Sequence, residues 1–109
     1  AARSIQTLQV TEAVRDATIG KKKVKHGQTI ALDPDEGLVA VNNDRMRCIL
    51  EAVGRLKPGF ELVTVFYGTD AHLDEAEDVA KRIQLSLSGV DVELRHGGQP
   101  HYRYLISAE

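Results

Sequence analysis

Tryptophan is absent from this chain and aromatic residues make up only 5% of it, although 42% of its residues are hydrophobic. The core must therefore be filled by Ile, Leu and Val. The single cysteine, Cys48, cannot close an internal disulfide and points to a reducing, cytoplasmic setting. No apolar run approaches the ~20 residues that a membrane-spanning helix needs, and no secretory leader pattern opens the chain. The expectation is a soluble protein with no membrane insertion. An excess of one charge is lacking too: a net charge of −2 and a pI near 6.1 supply no global attraction for nucleic acid or anionic lipid.

What is present, in 109 residues, suffices for one hydrophobic core and not for two. The opening Ala1-Ala2-Arg3-Ser4 carries no helix-capping signal and reads as a cut made within a longer polypeptide. The chain centres on Phe60-Glu61-Leu62-Val63-Thr64-Val65-Phe66-Tyr67, which is largely apolar on both faces when read with period two. That is the pattern of a central strand in a mixed or parallel sheet.

Two amphipathic helices flank this strand. Asn42, Asn43 and Asp44 are all good N-cap types, and Met46, Ile49, Leu50, Val53 and Leu56 follow at helical spacing until Lys57-Pro58-Gly59 stops the run. This spacing places Cys48 opposite the apolar stripe. The second helix starts from Thr69 or Asp70 and buries Leu73, Ala76, Val79, Ala80, Ile83 and Leu87. Asp74, Glu75, Glu77 and Asp78 crowd its first turns, which suits the helix dipole and would repel a phosphate. Gly68-Thr69-Asp70 lacks the glycine spacing of a dinucleotide or phosphate loop, and Asp70 with Asp74 alone is too small a ligand set for a divalent cation.

The remaining segments read as strands and turns. Leu8, Val10 and Val14 share one face of a strand over residues 6–16, with Glu12 on that same face, either at an edge or bulge or aimed at a partner. Lys21, Lys22, Lys23 and Lys25 fall in a solvated turn, with no aromatic platform beside them for nucleic acid. Ile30 and Leu32 face inward from a strand, Asp33-Pro34-Asp35-Glu36-Gly37 turns the chain, and residues 38–41 return as a hairpin. Val90, Val92 and Leu94 alternate with charged residues. After them His96-Gly97-Gly98-Gln99-Pro100-His101 makes a sharp loop able to expose successive backbone N–H groups. In the last strand Tyr102, Tyr104 and Ile106 share a face. Neither His96 and His101 nor Cys48 has the neighbours that zinc or an activated nucleophile requires, so no catalytic or metal-binding residue is assigned. The fold class is α/β: a mixed five- or six-stranded sheet with helices at about 43–56 and 70–88 as right-handed crossovers.

The final Gly97-Gly98-Gln99-Pro100-His101-Tyr102-Arg103-Tyr104-Leu105-Ile106-Ser107-Ala108-Glu109 resembles the C-terminal end of the bacterial dihydroxyacetone-kinase-like proteins that form the kinase component of fatty acid kinase. Val10-Thr11-Glu12-Ala13-Val14-Arg15-Asp16, His26-Gly27-Gln28 and Glu61-Leu62-Val63-Thr64-Val65-Phe66-Tyr67-Gly68 resemble the same family in the same order. The resemblance implies that residues 1–109 are a single non-catalytic C-terminal docking domain of a longer kinase subunit. ATP and magnesium belong in the N-terminal domain of that longer protein and no cofactor belongs here. It also implies that the partner is a separate DegV-type fatty-acid-binding subunit, for ATP-dependent acyl phosphate formation, with the remaining domains of the same polypeptide as further neighbours. The partner or interdomain docking residues it suggests are Arg15, Asp16, Gly97, Gly98, Gln99, Pro100, Tyr102 and Tyr104. The element order is also similar to the C-terminal domain of the DegV-type proteins, so the alternative is a stand-alone small-ligand or fatty-acid-binding module.

The apolar residues on both sides of the central strand carry one more expectation. Two right-handed crossovers made in the same direction put both helices on one face, leaving the other to be covered by a preceding segment, a partner or a second copy in a homo-oligomer.

Overall fold

The structure, a computed structural model, describes residues 5–109; the proposed cut at the chain's opening lies outside them. A six-stranded mixed sheet has the order β5-β4-β1-β8-β6-β7. Its strands are β1 (Gln6–Glu12), β4 (Thr29–Asp33), β5 (Gly37–Asn42), β6 (Leu62–Tyr67), β7 (Asp91–His96) and β8 (Tyr104–Ala108). A separate hairpin pairs β2 (Ala17–Ile19) with β3 (Lys22–Val24). Helix α1 (Arg45–Gly54) joins β5 to β6, and α2 (Leu73–Ser86) joins β6 to its parallel neighbour β7. Every other pairing in the large sheet is antiparallel.

Both crossovers travel the same way across the sheet, so right-handed connections leave both helices on one face. They meet there, where Arg45 Nη1 of α1 lies 2.6 Å from Glu75 Oε2 of α2. Beneath them Leu8, Val10, Val63, Val65, Tyr104 and Ile106 form the buried floor of the main core. Each burial of such a side chain is worth about 1.5–3 kcal/mol.

Helix α1 follows its expected cap closely. Asn42 Oδ1 accepts from the Asp44 N–H, and Asp44 Oδ1 accepts from the Arg47 N–H, so Asp44 is the N-cap. The expected exposure of Cys48 is corrected: Cys48, Ile49, Ala52 and Val53 are the buried residues of α1, and Cys48 is 0% exposed. The helix is wedged between β4, β5 and α2, so its buried arc is wider and rotated from the Met46–Leu50 side, and the thiol donates to the Thr29 carbonyl at 3.4 Å. Helix α2 starts later than its acidic run suggests. Its N-cap is His72, with no side-chain cap bond, rather than Thr69 or Asp70, because the backbone of Gly68-Thr69 is held in another loop, described below. Leu73 is 49% exposed, so the inward stripe of α2 begins only at Ala76.

Two further expectations change. Strand β1 stops at Glu12, and Val14 is 83% exposed rather than facing the core. The lysine run is a hairpin and not merely a solvated turn. Val24 is buried against Ala13 and Ile30, with Ile19, Leu32, Leu38 and Val41 packed around them, while Lys22 and Lys23 stay exposed. Two apolar anchors at Ile19 and Val24 are enough to fold a segment whose composition is dominated by lysine. This small cluster covers the β4–β5 end of the sheet's second face.

Candidate functional site

Strand directions gather several loops on one edge of the sheet. The carboxyl ends of β1, β5, β6 and β7, the amino ends of β4 and β8, and the starts of both helices all lie there. The centre of this edge is the loop over residues 97–103. Loops carry function when a rigid scaffold positions them, and here the scaffold is unusually direct. The N–H groups of Gly97 and Gly98 both donate to the Tyr67 carbonyl, at 2.9 and 3.3 Å. Gly68 N donates to Arg103 O at 2.8 Å and Thr69 N to Gln99 O at 3.1 Å. Gln99 Nε2 reaches the Phe66 carbonyl at 3.1 Å, and Arg103 Nη1 reaches the Asp70 carbonyl at 3.0 Å.

These bonds correct one expectation: the loop does not present successive free amides, because those of Gly97 and Gly98 are taken up by Tyr67. It is therefore built as a rigid surface and not as an anion nest. Gly98 takes a positive φ of 70°, whereas Gly97 does not, and what Gly97 requires is space beside Gln99 and Phe66. The most constrained glycine is one that the sequence does not single out for this role. A Cβ on Gly68 would run into the backbone carbonyls of Gln99 and Tyr102. Its only sequence signal is its place directly after the central strand.

Arg15 and Asp16 join the same edge. Thr11 Oγ1 donates to the His101 carbonyl at 3.1 Å, tying the end of β1 to the central loop. Asp16 Oδ1 accepts from the His26 N–H at 2.8 Å, and Ala13 exchanges backbone bonds with Gly27 and Gln28. Gln28 Nε2 in turn donates to Asn43 Oδ1 at 3.0 Å, at the entrance to α1. Segments distant in sequence, 13–16, 26–28 and 97–102, thus form one continuous bonded surface. Arg15, His26, Pro100 and His101 are exposed on it, and Gln99 and Tyr102 are half-buried. His96 packs edge-on against Tyr67 with ring centroids 5.1 Å apart. That contact gives it an aromatic neighbour and no ligand partner.

Tyr104 belongs elsewhere. It is completely buried, and its hydroxyl donates to Glu75 Oε1 at 2.7 Å while the other carboxylate oxygen holds Arg45. Burial, reinforced by the Glu75 carboxylate, pushes the Tyr104 hydroxyl well above its ordinary pKa. Any influence of Tyr104 on a surface passes through Glu75. Cys48 is likewise displaced upward, to about 11, mainly by burial and secondarily by the Glu51 charge. It is a packed thiol with none of the activation a nucleophile shows. No group of three or more His, Cys, Asp or Glu suited to a metal ion occurs among the described residues.

Fold and edge together define an α/β domain with a rigid, loop-built binding surface. The chain belongs to the FakA-like family of fatty acid kinase C-terminal domains, whose model matches residues 1–109. It is 31% identical over 110 residues to an uncharacterized protein of Staphylococcus haemolyticus, covering 100% of this chain and 20% of that protein. It is 29% identical over 109 residues to protein YloV of Bacillus subtilis, with the same coverage of 100% and 20%. An uncharacterized protein of Staphylococcus aureus matches at 29% over 107 residues, 97% of this chain and 19% of the relative. The chain therefore spans about one fifth of the length of the curated relatives it matches.

Proposed function

We propose that this chain is the non-catalytic docking domain of a fatty acid kinase. It engages a fatty-acid-binding partner through the edge built from residues 13–16, 26–28 and 97–102, and so brings the bound fatty acid to the ATP- and magnesium-dependent kinase domain for acyl phosphate formation. The family membership over the whole chain carries this reading. The bonding of the edge supports it physically, since a surface whose loops are already fixed loses little conformational entropy on association.

The test is gel filtration of the chain mixed with its cognate fatty-acid-binding subunit. Co-elution is expected, and Arg15→Ala with His101→Ala should weaken it while leaving the melting temperature unchanged, because both side chains are exposed. Native mass spectrometry of the chain alone should show no lipid. Bound fatty acid in that spectrum would favour the ligand-binding alternative, and failure to co-elute would overturn the docking role.

A further inference from the structure

The two helices and the β2–β3 hairpin leave part of the sheet without cover. Because Val63 and Val65, Tyr104 and Ile106, and Leu8 and Val10 point under the helices, the alternate residues of the same strands point to the other face. In register across that face run Gln9, Leu105 and Phe66, and beside them Thr7, Ser107 and Thr64. The face is flat, with Phe66 and Leu105 half-buried by their strand neighbours alone. The hairpin reaches only as far as Leu32 and Leu38. An apolar and small-polar sheet centre of this kind is normally covered in a soluble protein.

We infer that this face is an intramolecular interface, covered by the polypeptide that precedes this domain in the full-length protein. Three observations select that occupant. The family is that of a C-terminal domain, and the relatives are about five times as long, so most of the protein lies outside this chain. Strand β1, the first in the chain, lies at the interior of the sheet between β4 and β8 and not at its border. Polypeptide arriving at the exposed Ile5 therefore reaches the sheet at its middle. The helix side is already closed there, where Gln6 exchanges two hydrogen bonds with the backbone of Lys57 in the loop after α1, at 2.9 and 2.7 Å. Only the β1–β8–β6 face remains for a covering layer. The edge proposed for docking is left free, so this interface stands whether or not that function does.

Site-directed labelling of the full-length protein tests it. Ser107→Cys and, separately, Gln9→Cys place a thiol on the face, and Lys81→Cys provides an exposed control on α2. A maleimide is the probe, and peptide mass spectrometry reads each site, with native Cys48 reporting unfolding because it is fully buried. The face thiols are expected to label about tenfold or more slower than Lys81→Cys, a ratio set by the free energy of opening the interface. The protection should be independent of protein concentration and of the fatty-acid-binding partner. Labelling as fast as the control would overturn the inference. Protection that fades on dilution would assign the face to a second copy, and protection that appears only with the fatty-acid-binding protein would assign it to the partner; either result also overturns it. Gln9→Cys keeps the test decisive if Ser107→Cys fails to fold.

Discussion

The Tyr104 hydroxyl donates to Glu75 at 2.7 Å, and this one bond joins the middle of the sheet to the first turn of α2. Glu75 also holds Arg45, so the three side chains tie β8, α2 and α1 together at the helix-covered end of the core. Tyr104→Phe keeps the ring and removes the donor. The expected loss is about 1.5 kcal/mol, typical of a hydrogen bond to a charged group, measurable by urea denaturation. Because the hydroxyl's pKa is raised above its unfolded value near 10, the protonated form is favoured by folding. That contribution is complete below pH 10 and is lost as pH rises through the raised value. Alkaline titration of stability should therefore be less steep in Tyr104→Phe than in the native chain.

Substitutions at the three glycines of the edge should rank by physical cause. Gly68→Ala drives Cβ into two backbone carbonyls that cannot rotate away, and should cost more than about 2 kcal/mol by forcing the loop off the sheet. Gly98→Ala introduces a side chain at positive φ and should cost about 1 kcal/mol. Gly97→Ala displaces the end of the Gln99 side chain, sacrificing its bond to Phe66. Melting curves of the three variants give the order, and an unaltered Gly68→Ala would refute the account of the loop.

Ile49 is completely buried under α1, so Ile49→Ala should lose about 2–5 kcal/mol through transfer and cavity terms. The neighbouring Cys48 provides the readout. In the native chain at pH 8 the thiol should resist a disulfide reagent, because it is buried and its pKa is raised to about 11. In Ile49→Ala its labelling should accelerate in proportion to the lost stability.

The chain alone should bind no nucleotide. The amides of Gly97 and Gly98 are occupied by Tyr67, and the start of α2 carries Asp74 and Glu75, so a triphosphate meets neither free donors nor positive charge. Calorimetry with ATP and magnesium should give no heat of binding, and micromolar affinity would contradict this.

Much of the fold can be read from residue spacing. The central strand, the Asp33-to-Gly37 turn and the Asp44 cap each follow from local chemistry, and each appears where that chemistry puts it. The misplaced features are those decided by neighbours distant in sequence. Helical periodicity puts Cys48 outside, yet packing of α1 against both sheet and α2 buries it. Lysine-rich composition describes a solvated turn, yet Val24 finds Ile30 and Ala13. Period two carries a strand through Val14, yet Ala13 turns aside to bond Gly27 and Gln28. At the edge, Arg15, Asp16 and the Gly97 loop are legible as separate motifs. Their union depends on Thr11 meeting His101, a contact spanning 90 positions that no local pattern encodes.

The pairing of β1 with β8 has a kinetic consequence. Gln6 lies opposite Ala108, so nearly the whole chain must be made before the two ladders that meet at β8 can close. Without that strand the sheet falls into two unconnected ladders, β5-β4-β1 and β6-β7. Each can assemble early from nearer segments, but joining them incurs the loop-closure entropy of almost the entire polypeptide. On a ribosome, the last five-residue strand is therefore the step that converts two half-sheets into one cooperative unit.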